Sequence, residues 1–370
     1  MKLLFIAAKL NQFGGIEKYN RNLIAILKDL GQDVVVIERQ PGGLLAKAFL
    51  FIRVMFSAVG HRPDFIVCTH LNFSPLCYWL KKILRIKYSI SVYGIEVANI
   101  QRRIFKQALS NATRIIYLFE ATASRVVEQV PDTKLKLFNL PNSVDGQKFK
   151  IKEKSGKLLS RFGLVGSKII LTIGRMSKLD GDNKGYRRVI KAMPKVLKDV
   201  PNAKYLLAGS GDDIPGVKQL ITELKLGGNV VLADAPTNEE IVDYYNLADV
   251  FVLPSKNEGF PAIVLLEALS CGVPVVGGNQ KGAKEALLNG ELGILVDPDS
   301  IEDISATIIA LLGGMLDKRL YDRMLLRRRV IDAFGLESFS GKTQSLLRLL
   351  ERNNNRGNIH LLKINIKENE

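Results

Sequence analysis

The stretch EGFPAIVLLEALSCGVPVV, residues 258–276, sets two carboxylates, Glu258 and Glu267, into an otherwise apolar run. A run of this kind belongs in a core, where an unpaired carboxylate is costly to keep ionised. Pro261 is tolerated only near the first turn of a helix, and Gly272 suits the position just past a helix end. The stretch therefore reads as loop, then a helix from about Pro261 to Ser270, then a buried strand from Val273 to Val276. Glu258 falls ahead of the helix and Glu267 inside it.

Outward from this stretch, the same alternation fills the chain. In the first half LLFIAA (3–8), VVVIE (34–38), FIVCTH (65–70) and YSISVY (88–93) read as strands, and TRIIYLF (113–119) opens a further unit. Helical stretches such as Glu17 to Leu30 and Pro75 to Ile83 lie between them. In the second half the strands are KIILTIG (168–174), AKYLLAGSG (203–211), NVVLAD (229–234), DVFVLPS (249–255), VPVVGG (273–278) and GILVDP (293–298). Continuous apolar strands of this kind belong to parallel sheets covered on both faces. A chain of 370 residues is too long for one comfortable core. We expect two doubly wound, Rossmann-like α/β domains facing across a cleft, with ligands at the carboxyl ends of the strands.

The polar, lysine-rich stretch 145–168 places the boundary. Residues 1–160 form the first expected domain and 161–345 the second. Residues 346–370 are a final helix end and a loosely held tail, crossing back to the first domain. The N-terminal MKLLFIAAKL reads as a first strand rather than a signal peptide, because Lys9 interrupts it and a helix start follows.

Composition narrows the function. Three cysteines in apolar settings and three scattered histidines indicate neither a disulfide scaffold nor a metal cluster. Charge is distributed unevenly: residues 1–170 hold 27 Lys and Arg against 11 Asp and Glu, whereas residues 171–370 hold 26 against 26. A strongly basic half points to something anionic, a membrane or a nucleic acid, and otherwise to a solvated surface. Segment 42–62, GGLLAKAFLFIRVMFSAVGHR, is about one long apolar helix carrying Lys47 and Arg53. It is too interrupted for a membrane span, and reads as a core helix or as an interfacial one with Phe49, Phe51 and Phe56 among lipid headgroups.

Several loops after strands carry groups suited to anions. NQFGGIEKYN places Gly14 and Gly15 between the first strand and its helix, where backbone approaches a ligand closely. TIGRMSKLDGDNKG sets Arg175 after a strand and Lys184 before a helix, one cation at each end of a loop that can clamp a diphosphate. LAGSG adds Gly209 and Gly211 at another strand end. His70 ends a strand, as a substrate contact or as a satisfied structural histidine.

The 258–276 stretch, with GRMSKLDGDNKG, LAGSG and the interdomain LPNSVD (140–145), resembles the GT-B glycosyltransferases of family 4. The resemblance covers most of the chain and is densest from about 135 to 298. It implies a retaining enzyme that uses a nucleotide-sugar donor, with no cofactor and no metal. By that resemblance Arg175 and Lys184 neutralise the donor diphosphate and stabilise the leaving phosphate. Glu258 meets the donor sugar beside the backbone of Gly259, Phe260, Pro261 and Ala262, and Glu267 accepts from the ribose hydroxyls. Gly14, Gly15 and Gly209 border the donor, while Asn142 and Asp145 belong to the hinge. Eight residues separate the two glutamates where the family has seven. Tyr93 stands where many members carry a histidine, which makes Tyr93 and His70 candidate acceptor or sugar contacts.

In such a transfer the acceptor attacks on the face that the nucleotide leaves and fixed cations carry the developing charge, so no triad or metal ligand set is needed. The resemblance extends to enzymes that move mannose or related hexoses to lipid-linked or polysaccharide acceptors. With the basic first half it implies a cytoplasmic protein held peripherally at an anionic membrane face, without nucleic acid. The alternatives are a nucleotide-sugar epimerase or hydrolase on the same fold, which needs further acid/base residues, and a non-catalytic sugar-nucleotide-binding module.

Overall fold

Strands Lys2–Ala7 and Lys168–Ile173 each bury every residue after a leading lysine. That is the burial of a parallel sheet covered on both faces, and it recurs in both halves of the chain. The computed structural model describes all residues except Lys9, 11–14, Pro41, 257–262 and 368–370. The side chains of Leu44, Ile95, Asp180 and 353–367 are also left aside.

The chain divides into two units, Met1–Asn142 with Glu337–Glu370, and Ser143–Leu336. In unit one the strands are β1 (Lys2–Ala7), β2 (Asp33–Glu38), β3 (Phe65–Cys68), β4 (Lys87–Val92), β5 (Arg114–Tyr117) and β6 (Leu137–Asn139). They pair in parallel in the order β2-β1-β3-β4-β5-β6, with Leu4 opposite Val35 on one side and Ile66 on the other. The helices are α1 (Gly15–Asp29), α2 (Leu44–His61), α3 (Ser74–Leu84), α4 (Arg103–Asn111) and α5 (Glu120–Gln129). Because β1→β2 and β2→β3 run in opposite directions across the sheet, right-handed crossovers put α1 on one face and α2 to α5 on the other. Val54, Ala58, Cys77, Leu80, Leu109 and Val126 of those four helices share one core with Ile66, Cys68 and Ile90 of the sheet.

In unit two the strands are β7 (Lys168–Ile173), β8 (Ala203–Ala208), β9 (Val230–Ala233), β10 (Val250–Leu253), β11 (Val275–Gly278) and β12 (Ile294–Val296). Their order is β12-β11-β10-β7-β8-β9, so the direction of winding reverses between β7 and β10. The helices are α6 (Gly156–Arg161), α7 (Tyr186–Asp199), α8 (Ile214–Glu223), α9 (Ile241–Leu247), α10 (Ile263–Ser270), α11 (Lys281–Ala286), α12 (Ile301–Leu312) and α13 (Arg323–Phe334). Alternate strand residues feed two cores. Ile169 and Leu171 pack with Leu265 and Leu269 of α10, whereas Ile170 packs with Val189 and Ile308 of α7 and α12.

Helix α10 ends as Gly272 requires. Gly272 lies at φ +70°, its N–H donates to Leu269 O at 2.9 Å, and the Val273 N–H donates to Ala268 O at 3.0 Å. This double bond pattern is the glycine-terminated helix end in which the last carbonyls are satisfied by the two following residues. It also holds Val273 back from the sheet, so the strand starts at Val275 rather than at Val273.

Two boundaries differ from those expected. Segment 143–160 belongs with unit two, because Phe149 packs its ring on Tyr245 and the Lys152 N–H donates to Asn246 Oδ1 at 2.7 Å. Arg327 of α13 fastens the same segment, its Nη1 donating to Phe149 O and Ser270 O and its Nη2 to Gly146 O. The returning segment starts at Glu337 rather than 346, within a helix α14 that runs from Leu336 to Lys367. A lysine-rich composition marked the linker in the sequence, but backbone carbonyls taken by one arginine decide where it packs.

Replacing Arg327 by Met leaves three backbone carbonyls without their donor. We expect a loss of about 3 kcal/mol, lowering the unfolding midpoint of unit two by roughly 6–12 °C. Differential scanning calorimetry checks this, and an unchanged midpoint would show that the clasp adds nothing.

Candidate active site

In an open α/β sheet the loops diverge where the winding reverses, leaving a crevice at the carboxyl ends of the strands. In unit two that point lies between β7 and β10. Arg175 follows β7 directly and is exposed. Gly209 and Gly211 follow β8, the neighbour of β7. Residues 254–256 follow β10.

These loops are fastened to one another. A Cβ on Gly209 would stand 1.9 Å from Gly174 O, and one on Gly211 would stand 1.8 Å from Met176 O. Only glycine permits this approach, and the backbone bond from Met176 N to Ser210 O at 2.9 Å seals it. Gly209, read as a donor-binding position, also seats the loop that carries Arg175. Asp213 extends the seam. Its N–H donates to Met176 O, and its carboxylate accepts from the Tyr186 hydroxyl at 2.7 Å and from Arg187 Nε at 2.8 Å. The Arg187 guanidinium holds the Asp213 carboxyl below the ordinary carboxylate range, against the opposing effect of burial.

Lys184 is half-buried in the loop before α7, and this loop is stitched to the end of β10. The Lys256 N–H donates to Asn183 O at 2.9 Å. Arg188, 7% exposed, donates from Nη2 to Asp182 O and to Pro254 O at 2.9 and 3.0 Å, with Nε 3.5 Å from Asp182 Oδ2. Burial raises the Asp182 carboxyl above its usual value, the Arg187 N–H and the Arg188 charge opposing it.

Glu267 lies inside α10 at 3% exposure, and its partner answers the cost of burying a carboxylate. The Tyr245 hydroxyl of α9 donates to Glu267 Oε2 at 2.7 Å. Tyr245 is fully enclosed, and burial first, then the nearby Glu267 charge, push its hydroxyl well above the ordinary range. The structure therefore brings Arg175, Lys184 and Glu267 onto elements around one switch point. Gly14, Glu258, Gly259, Phe260, Pro261 and Ala262 lie outside the described residues.

Unit one has its own cluster at the ends of β3 and β4. His70 caps a short turn, its Nδ1 accepting the Asn72 N–H at 3.1 Å, which leaves the neutral ring proton on Nε2. Burial lowers its pKa from the ordinary imidazole value, and the Glu96 charge opposes that shift. His70 and Tyr93 stand 6.4 Å apart between ring centroids. Tyr93, however, is enclosed, and its hydroxyl donates to Asn20 Oδ1 of α1 at 3.0 Å. It is a packing residue rather than a surface contact, because the ring fills the space between β4 and α1. Gly15 is the first residue of α1.

Sequence reasoning missed Tyr245, Arg188 and Asp213. DYYNLAD reads as an ordinary helical stretch, and nothing in it marks which tyrosine turns toward a glutamate 22 residues later. Arg187 and Arg188 are adjacent cations in YRRVIK, and only their packing separates a surface pair from a buried clasp. Among the described residues no group of His, Cys, Asp and Glu could hold a metal ion.

Residues 161–324 match the family model described as glycosyl transferases group 1, a span containing Arg175, Lys184, Glu258 and Glu267. A GDP-mannose-dependent α-(1-6)-phosphatidylinositol monomannoside mannosyltransferase of Mycolicibacterium smegmatis is 27% identical over 230 residues, covering 59% of each chain. The chain thus spans about three fifths of that relative's length, and 46% of a mannosylfructose-phosphate synthase of Agrobacterium fabrum that is 29% identical and matches 57% of this chain. Among solved structures, Anabaena HepE in complex with UDP superposes with a TM-score of 0.78 at 19% identity, over 94% of this chain and 100% of that one. Likeness of this extent at such low identity speaks to architecture. The fold is GT-B, built of two Rossmann-like α/β domains, with the group 1 glycosyl transferase match lying in the second.

Proposed function

We propose that the protein is a retaining glycosyltransferase that moves a hexose, mannose-like or glucose-like, from a nucleoside-diphosphate sugar to a lipid-linked or polysaccharide acceptor. The observation that carries this reading is the placement of Arg175 and Lys184 on locked loops, and of Glu267 in α10, around the β7/β10 switch point, inside the segment that matches glycosyl transferases. Two cations on rigid loops suit the diphosphate, and a buried carboxylate with one oxygen already held suits a pair of ribose hydroxyls. Glu258 meets the donor sugar in this reading. Charge that develops on the leaving phosphate is met by groups that need not reorganise, which is where transfer without a protein nucleophile draws its rate. In unit one, His70 offers a neutral Nε2–H to the sugar or the acceptor.

An acceptor at an anionic membrane face on the cytoplasmic side fits the first unit. Of α2, Leu50, Val54 and Ala58 enter the core, while Leu45, Phe49, Ile52, Phe56 and Val59 stand exposed at spacings of four and three, Leu45 at 87% and Phe56 at 77%. The helix is thus a core helix on one face and an apolar stripe on the other. Lys81, Lys82, Arg85, Lys87, Arg102, Arg103 and Lys106 lie on or beside the neighbouring α3 and α4. Cations near an anionic leaflet contribute about 1 kcal/mol each, and the stripe adds apolar area. Among the described residues no helix is long and apolar enough to cross a membrane.

A panel of nucleoside-diphosphate sugars with a crude lipid extract, read as nucleoside diphosphate release, tests the activity. No acceptor-dependent release with any donor would remove the transferase reading. On the productive donor, Arg175→Ala and Lys184→Ala should each lower turnover by about a hundredfold or more. Full turnover in both variants would place the phosphate elsewhere.

Glu267→Gln should act mainly on donor affinity, and Tyr245→Phe should do the same more weakly. Removing the hydroxyl costs about 1 kcal/mol, or a roughly fivefold rise in donor KM with kcat little changed. A kcat loss with unchanged KM in the Tyr245 variant would contradict a positioning role.

A further inference from the structure

Unit one holds a pocket of about 430 Å³ that the donor-side reading does not use. Its walls come from the carboxyl ends of three strands: Arg39 directly after β2, Asn72 and Phe73 after β3, and Arg102 at the start of α4 after β4. Lys47 and Phe51 reach it from the first turns of α2, and Pro75 and Leu76 from the first turn of α3. Among the described residues three cations line it and no carboxylate does. Among the described residues none of Arg39, Lys47 and Arg102 forms an ion pair. Three helix N-termini, of α2, α3 and α4, also converge there, and their dipoles add to the positive field.

Apart from Asn72 the remaining lining is apolar, with Leu50, Phe51, Phe73 and Phe105 among it. The apolar surface does not stop at the rim. Trp79 and Ile83 continue the face of α3 that begins at Pro75 and Leu76, and Trp79 is 50% exposed. On α2 only Phe51, 49% exposed, carries the apolar lining to the surface, because the stripe from Leu45 to Val59 lies on the opposite face of that helix. A pocket for a free phosphate sugar has no use for such a margin, whereas a phosphate carried on hydrocarbon uses both parts.

We propose that this pocket binds the phosphate of an anionic lipid, the phosphate among Arg39, Lys47 and Arg102 and the chains over the aromatic lining toward Trp79 and Ile83 of α3. Its identity as the phosphate of the acceptor rests on the transferase reading above; the binding itself does not.

The probe is a short-chain lipid below its micelle concentration, dihexanoyl phosphatidylglycerol, so that a site is distinguished from adsorption to a surface. The chain has one tryptophan, Trp79, beside the pocket, and its emission reports binding without any turnover. Saturable one-to-one binding is expected, with dihexanoyl phosphatidylcholine and free glycerol 3-phosphate each binding much more weakly. Neutralising Arg39, Lys47 and Arg102 together to Gln should weaken binding about a hundredfold, near fivefold for each cation. The triple variant Lys28→Gln, Arg125→Gln and Lys134→Gln, exposed cations of the same unit outside the pocket, should bind as the parent does. Melting curves confirm that both variants are folded.

Equal losses in the two triple variants would reduce the effect to diffuse charge and overturn the site. Glycerol 3-phosphate binding as tightly as the lipid would overturn the lipid assignment. Lipid binding that depends on the pocket in a protein that releases no nucleotide from any donor would sustain the site while sinking the transferase reading.

Discussion

Arg188 enters from the first turn of α7 into the gap between the ends of β7 and β10, and its guanidinium has almost no water to turn to. A buried cation is tolerable only where oxygens surround it. Here they are the carbonyls of Asp182 and Pro254, both accepting from Nη2 and 6 and 66 residues away in sequence, with the Asp182 carboxylate 3.5 Å from Nε and the Asp299 carboxylate 3.8 Å from Nη1. Meeting the needs of one charge therefore fixes the loop that carries Lys184 against the strand end that leads toward Glu258. The loop that carries Arg175 is fixed by a different means, the bare backbone of Gly209 and Gly211 lying against residues 174 and 176. Electrostatic groups can act on developing charge without reorganising only if their loops are held in this way.

Glu267 poses the same problem with opposite sign. A carboxylate within an apolar helix would be destabilising alone, and the Tyr245 hydroxyl supplies the donor that makes it tolerable. The bond fixes the rotamer of the carboxylate. Stability and site geometry thus depend on one contact between α9 and α10.

Unit one carries a different balance. Its sheet is as buried as that of unit two, yet α2 shows a core face and an exposed apolar face on one helix. Exposed apolar area next to uncompensated cations is a combination that water does not favour and an anionic interface does. The same unit keeps Tyr93 wholly inside, its hydroxyl on Asn20, while His70 and the cations around the α2–α4 termini stand at its strand ends.

Much of the architecture was legible along the chain. The eleven strands read from short Val, Ile and Leu runs coincide with eleven of the twelve observed, because a strand covered on both faces must be apolar throughout. Gly272 marked its helix end for the reason that the structure confirms, a left-handed φ that other residues avoid. Leu137–Asn139 escaped notice because it carries only two apolar side chains, both half-buried, at a sheet edge. The residue types of the candidate site were also legible: Arg175 and Lys184 are cations in a loop between a strand and a helix, and Glu267 is a carboxylate within an apolar helix. What only the tertiary structure decided is which groups support them. Tyr245 and Arg188 look like any helix tyrosine and any surface arginine, since a hydrogen bond between residues far apart in sequence has no local signature. The placement of 143–160 was decided likewise, by the carbonyls that Arg327 takes rather than by the lysines that made the segment look like a linker. Composition and period determine what must be buried; the partner that makes each burial affordable is chosen by the fold.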